Sequence, residues 1–265
     1  MTANPNVPLR VELTFELPGT AEQVWQAIAT ANGITSWFLP TDLEEREGGT
    51  IVTHMGESSS PGKVTGWEPP RRFAYEEPEW AALAGHEGAD VSPLATEFLI
   101  EAQSGGTCVL RVVSSAFGTG ADWEQEFLAE MEKGWRPFFD RLRLYLVHFP
   151  GQRVTPLEAA HTVKGTTAGP VLAAMRESLG VEEVGQSVDA RGLAGQVERI
   201  GESDVLLRVT DPVPGFLGLA AWSTGEDEAT AVVQGQLFSE AAPAFVEQER
   251  PGWQEWLQGL SIPAA

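Results

Sequence analysis

Residues 122–149 read DWEQEFLAEMEKGWRPFFDRLRLYLVHF. Trp123, Phe127, Met131, Trp135, Phe138, Leu142, Tyr145 and Phe149 recur at steps of three or four, while Glu124, Glu130, Lys133, Asp140 and Arg143 fall on the opposite face. That period predicts one long amphipathic helix whose apolar stripe has to be buried against another layer. Pro137 lacks an N–H and its ring crowds the preceding turn, so a kink or one lost backbone bond is expected there.

Working outward, the other layer is a sheet. From Val7 to Leu17, Leu9, Val11, Leu13, Phe15 and Leu17 alternate with Arg10, Glu12, Thr14 and Glu16, the pattern of a half-buried strand. Pro18-Gly19 breaks it, Thr20 is placed to cap a short helix, and Val24, Trp25 and Ile28 follow at helical spacing. A second short helix is expected from Asn32 to Trp37, stopped by Pro40. Strand-like runs then occupy roughly 41–46, 50–55, 62–68, 72–77, 94–103 and 107–116, an antiparallel meander. GESSSP at 56–61 and the longer stretch 78–93 read as loops, the latter a candidate lid. The order is that of an α+β domain.

After a linker, Pro150 to Pro156, the chain reads as a shortened copy of itself. Thr20-Ala21 with Val24, Ala27 and Ile28 aligns with Thr167-Ala168 and Val171, Ala174 and Met175. Gly62-x-Val64 aligns with Gly195-x-Val197, and Gly134-Trp135 with Gly252-Trp253, alongside Phe127 with Phe245 and Leu142 with Leu260. The offset shrinks at each step, which implies about a hairpin lost on either side of the Gly195 strand, the second short helix included. Chance matching of apolar periods is the competing explanation. Strands are expected at Leu193–Ile200, Val205–Val209, Phe216–Trp222 and Ala229–Phe238, and domains at 1–150 and 151–265.

Composition narrows the function. The 265 residues include 38 Asp and Glu against 17 Lys and Arg, a formal charge of −21. Such a surface repels phosphate backbones and anionic membranes, so neither nucleic acid nor membrane is an expected partner. Cys108 is the single cysteine, which excludes an intrachain disulfide and favours a reducing, cytoplasmic setting. The N-terminus has no basic and apolar signal pattern, and no run of 18 apolar residues occurs anywhere.

Four stretches carry a family resemblance: VELTFELPGTAEQVWQAIA at 11–29, TSWFLP at 35–40, GKVTGWEPPRRFAYEE at 62–77 and GWRPFFDRLRLYLVHF at 134–149. Together they resemble homologues of the activator of the heat-shock chaperone ATPase, within the START-like, or SRPBCC, helix-grip superfamily. The resemblance covers residues 7–149. It implies a curved antiparallel sheet wrapped around the long C-terminal helix, followed here by a shortened helix-grip-like second domain. It also implies an apolar cavity between sheet and helix, used in the superfamily for lipids, hormones or polyketides and in some members for cyclisation. Transferred by position, the ligand-binding candidates are Trp37, Phe38, Trp67, Tyr75, Trp123, Phe127, Met131, Trp135 and Phe138, with Phe98 beside them on a later strand. The 78–93 insertion and the C-terminal 115 residues depart from the single-domain pattern.

Plain core is the alternative for every one of these aromatics, since an amphipathic helix buries its stripe whether or not a void remains. Trp37-Phe38 reads more readily as a plug than as a gate. Catalytic patterns are scarce: His54, His86, His148 and His161 are dispersed without metal-ligand spacing, and no phosphate-binding glycine motif occurs. Cys108 sits in a strand pattern, where a thiol behaves as a small hydrophobe. Ser58-Ser59-Ser60 reads as a flexible turn. No catalytic residue, metal or cofactor is assigned. His54, Glu68, Arg72, Tyr75, Glu97 and Arg111 are the polar groups near the expected cavity, most of them expected to face outward. The expectation is a protein that binds a small hydrophobic molecule. The alternatives are a protein-interaction module, such as a chaperone or signalling co-regulator, and a cyclase- or hydrolase-type enzyme.

Overall fold

The computed structural model describes residues 7–56, 58–103, 105–225 and 227–262. They fall into two compact units that divide between Gly151 and Gln152.

The first unit runs β1 (Val7–Pro18), α1 (Ala21–Ile28), α2 (Ala31–Thr35), β2 (Thr41–Leu43), β3 (Thr50–Met55), β4 (Ser58–Glu68) and β5 (Arg72–Glu77). It continues with α3 (Trp80–Leu83), β6 (Leu94–Ala102), β7 (Thr107–Gly118) and α4 (Asp122–His148). Its seven strands form one antiparallel sheet in the order β1-β7-β6-β5-β4-β3-β2. This is the α+β helix-grip arrangement. β1 buries Leu9, Leu13 and Leu17 on one face because side chains alternate across a strand. Gly19, at φ +108, turns the chain, and Thr20 then caps α1 through a reciprocal capping box with Gln23. On the inner face Phe15 stacks on Phe139 of α4 at 3.9 Å between centroids.

The long helix runs unbroken through Pro137. Its buried stripe is Leu128, Trp135, Phe139, Leu142, Tyr145 and Leu146, so Trp123, Phe127, Met131 and Phe138 lie at its margin, half-buried. Glu124 corrects the expectation of an outward acid. It is buried, and its carboxylate accepts from the Thr119 N–H and hydroxyl at 2.8 Å and from the Gly120 N–H at 2.9 Å. Those donors lie in the turn just ahead of the helix, and a carboxylate in the first helical turn satisfies them while complementing the dipole. A Cβ on Gly118 would collide with this carboxylate, which accounts for glycine at the end of β7.

Four local readings change. The 41–46 run ends as strand at Leu43, since the Glu44 carboxylate takes the Thr50 N–H at 3.0 Å and draws the chain into a turn through Gly48 and Gly49. The second short helix is shifted to end at Thr35, leaving Trp37 beyond it. Of GESSSP, Glu57 lies outside the described residues, but Ser58, Ser59 and Ser60 are strand, paired with Met55, His54 and Thr53. Pro61 is tolerated there because pairing of β4 with β5 begins only at Lys63. The 78–93 stretch is no plain loop: it contains α3 and buries Trp80, whose indole N–H donates to the Ser92 carbonyl at 2.9 Å.

The second unit runs β8 (Thr155–Lys164), α5 (Ala168–Ser178), β9 (Ser187–Ala190), β10 (Leu193–Ile200), β11 (Asp204–Asp211), β12 (Gly215–Gly225), β13 (Glu228–Leu237) and α6 (Ala242–Gln258). Its six strands are ordered β8-β13-β12-β11-β10-β9. β8 and β9 lay outside the sequence reading, β11 and β12 are longer than it expected, and β13 is shifted by one residue. Thr20 and Thr167 both stand at the N-caps of their helices, Gly62 and Gly195 on central strands, and Gly134-Trp135 and Gly252-Trp253 on the final helices. Relative to the first unit, this one has one strand fewer and no counterpart of α2 or α3. The second loss is therefore the α3 segment rather than a hairpin.

Candidate functional site

Between the sheet of the first unit and α4 lies a cavity of about 380 Å³. Its helix wall is Phe127, Met131 and Phe138 from the margin of the buried stripe, Trp135 from the stripe itself, and exposed Gly134. Phe38 and Leu39, after α2, close one end. Phe38 stacks on Trp135 at 5.2 Å and meets Phe138 edge-on at 4.6 Å, so the plug is itself part of the wall. At the other end stand Trp80 and Leu83 of the insertion, with Trp80 5.0 Å from Phe127. Met55 and Leu83 also reach solvent, at 37% and 44% exposed, and mark the mouth.

The sheet wall differs in character. Thr53, Ser60, Tyr75, Glu77 and Thr96 supply a polar arc, with Leu94 among them. Register explains the grouping, since Thr53 pairs with Ser60 across β3 and β4, and Tyr75 with Thr96 across β5 and β6. The Ser60 hydroxyl donates to Glu77 Oε1 at 2.5 Å. Burial pushes the Glu77 carboxyl up from its ordinary value, against the smaller opposing effect of Ser60. The Tyr75 phenol is pushed up as well, first by burial and then by the proximity of Glu77, with a hydrogen bond to Thr96 opposing. The indole N–H of buried Trp135 has no acceptor among the described residues. The arrangement is a mostly aromatic chamber with one carboxyl group and several hydroxyls, the usual make-up of a small-molecule site.

Of the residues named from sequence, Phe38, Tyr75, Phe127, Met131, Trp135 and Phe138 line the cavity. The others do not line it. Trp37 is core, its indole donating to the Ala27 carbonyl at 2.9 Å, and Phe98 packs behind the wall against Trp135. Trp67 lies edge-on to Trp25 at 5.1 Å, and Trp123 stacks on His86 at 4.1 Å. Ser60, Glu77, Thr53 and Thr96 were missed because a single strand does not reveal which of its faces meets the void. Trp80 was missed because its insertion reads as a loop.

The outward polar groups pair among themselves. Arg72 bonds Glu97 at 2.6 Å and Glu68 at 3.2 Å, Arg111 meets Glu12 at 3.4 Å, and His54 meets Asp42 at 2.9 Å. Cys108 is buried, with its thiol directed to the Gly19 carbonyl at 3.3 Å, and burial pushes it up, away from the reactive thiolate. Among the described residues no group of three or more His, Cys, Asp and Glu is placed to hold a metal ion, and no helix is long and apolar enough to cross a membrane.

Residues 18–147 match the model of a family described as Activator of Hsp90 ATPase homolog 1-like protein. No curated protein matches the chain. Among solved structures, CalU16 from Micromonospora echinospora is 21% identical, with 52% of this chain and 76% of that one covered at a TM-score of 0.41. DynU16, from the dynemicin biosynthetic locus, is 14% identical over 95% of this chain and 96% of its own, at 0.43. The di-domain ARO/CYC BexL from the BE-7585A biosynthetic pathway is 13% identical over 95% and 97%, at 0.44.

Proposed function

We propose, from the premise that residues 18–147 are a domain of the Activator of Hsp90 ATPase homolog 1-like family, that the chain is a two-domain binding protein with domains at 1–150 and 151–265. The first domain holds a small hydrophobic molecule between its sheet and α4. In the second, the void between sheet residues and Trp253 is about 10 Å³ among the described residues, and this unit serves as a scaffold. The observation that carries this reading is the apolar cavity of about 380 Å³, which is ample for a compact polycyclic ligand. An empty apolar void costs stability through lost packing, so a cavity of this size is better explained by an occupant than by folding alone. Of the acid–base candidates, Glu97 and Arg111 are tied into outward ion pairs, and binding without catalysis is the simpler assignment. The single buried thiol needs no disulfide partner, which suits a cytoplasmic setting.

Native and denaturing mass spectra of freshly purified protein test this directly. A small molecule present only in the native spectrum is the expected result, together with thermal stabilisation by members of a lipophile library. Gly134 has open space where a side chain would grow, so Gly134→Trp fills the chamber and abolishes both signals. A clean apo mass with no stabilisation by any lipophile overturns the reading in favour of a solid protein-interaction scaffold.

A further inference from the structure

Among the described residues that line the cavity there is one group that can carry a formal charge near neutral pH, Glu77, and no lysine, arginine or histidine. Ser60 is the one donor to its carboxylate among the described residues, and a carboxylate has room for several. Glu77 is half-buried, and a partly desolvated carboxylate without a cationic partner is costly, which holds Glu77 toward its protonated form. Lining the same cavity are Phe38, Tyr75, Trp80, Phe127, Trp135 and Phe138, and aromatic rings attract cations over their faces. The chain as a whole carries −21, which concentrates cations and repels anions around the mouth. A fatty-acid or phosphate group entering this chamber would meet a carboxylate and no countercharge.

We propose, building on the binding reading above, that the cavity selects lipophilic cations: an apolar, ring-bearing ligand whose protonated amine pairs with Glu77 while its body packs among the aromatics. The ammonium supplies the charge partner that the empty site lacks, and the aromatic faces add to it. The Thr53 hydroxyl stands beside this pair to orient the polar end, while that of Ser60 is committed to Glu77 and that of Thr96 is shared with Ser114.

A matched set of probes tests this by isothermal titration: 2-(2-naphthyl)ethylamine, 2-(2-naphthyl)ethanol and 2-naphthylacetate, which share one ring system and differ in charge. The amine is expected to bind at least tenfold more tightly than the alcohol, and the carboxylate not at all. Glu77→Gln should erase the amine's advantage over the alcohol, with circular dichroism confirming the fold. Ser60→Ala keeps the carboxylate and should keep the preference, which guards against a misfolded first variant. The amine's affinity should also rise with pH as Glu77 ionises, and the alcohol's should stay flat. Tyr75, the other titratable group in the lining, remains neutral throughout. Equal binding of alcohol and amine, or a preference that survives Glu77→Gln, overturns the cation assignment while leaving the cavity a ligand site. Absence of binding by all three probes overturns both.

Discussion

The two units share a strand order and a final helix, yet one is hollow and the other solid. In the first, Thr53, Ser60 and Thr96 face α4 and a cavity of about 380 Å³ remains. In the second, the void bordered by sheet residues and Trp253 is about 10 Å³. Counting from the Gly62/Gly195 match, Leu193 stands where Ser60 stands, and Leu193, Leu207, Val209, Leu217 and Trp253 belong to one continuous buried cluster. Arg191 seals that cluster from outside, its guanidinium 4.9 Å from Trp253 and 5.5 Å from Trp256 and bonded to the Gly252 carbonyl at 2.9 Å. The matched tryptophan of the first unit, Trp135, instead leans on Phe38 and borders the void. Side-chain volume at a few register positions, together with the α2 and α3 segments that the second unit lacks, separates a chamber from a core.

The tryptophan pair is the strongest way to break this comparison. Trp253→Ala should cost about 3–5 kcal/mol of unfolding free energy, the usual penalty for emptying a close-packed site. Trp135→Ala should cost clearly less, about 1–3 kcal/mol, because it widens an existing void and removes an unpaired buried donor. Urea unfolding of both variants followed by far-ultraviolet circular dichroism measures the gap, and equal costs would mean that the first unit is solid in solution.

The helix starts give the next effect. By the Gly134/Gly252 match, Ala242 occupies the place of Glu124, with Pro243 beside it in the first turn of α6. A proline there has no N–H to leave unpaired, so the second unit manages without the carboxylate. Glu124→Ala should therefore destabilise the first unit by about 2 kcal/mol through stranded N–H groups. Burial alone would raise the Glu124 carboxyl, but donation from Thr119, Gly120 and Ala121 outweighs it and holds the group below its ordinary value. Its contribution is thus present above the ordinary carboxylate range and lost as pH falls through the lowered folded value. Acid titration of wild type and Glu124→Ala should show the two stabilities converging at low pH.

Gly134→Ala is a gentler probe. With no atom near its would-be side chain, alanine gains about 1 kcal/mol of helix propensity, read as a higher thermal midpoint. The smallest effect belongs to Glu77. Its carboxyl is raised in the folded state, so its favourable contribution is full below the ordinary carboxylate range and is lost as pH rises through the raised value. Glu77→Gln should accordingly melt slightly higher than wild type at neutral pH, by about 1 kcal/mol at most, with the advantage vanishing in acid. No shift with pH would place Glu77 in water rather than in the chamber.

Much of this was legible in the chain. Period two in Val7–Leu17 and period three to four in 122–149 reflect burial of one face, and the Thr-Ala and Gly-Trp matches marked the repeat. Phe127, Met131, Trp135 and Phe138 were legible as cavity candidates because they recur at the spacing of the apolar stripe. Glu77 and Ser60 were not, since a carboxylate and a serine run read as solvated turn chemistry until neighbouring strands fix which way they point. Glu124 was misread for a related reason: helical phase placed it with the outward acids, and only the N–H groups of Thr119 and Gly120, outside the helix, give a buried carboxylate its partners.

The sequence by itself determined most of the elements and their order and pointed to a second, shorter copy, because hydrophobic period and turn chemistry are local and survive without knowing what touches what, while α3, β8 and β9 emerged only in the structure. Only the tertiary structure decided that the first copy is hollow and the second filled, and that one carboxyl faces the hollow. Those are properties of volume and register summed across strands far apart in the chain, and a difference of a few side-chain sizes at facing positions is enough to open or close a cavity.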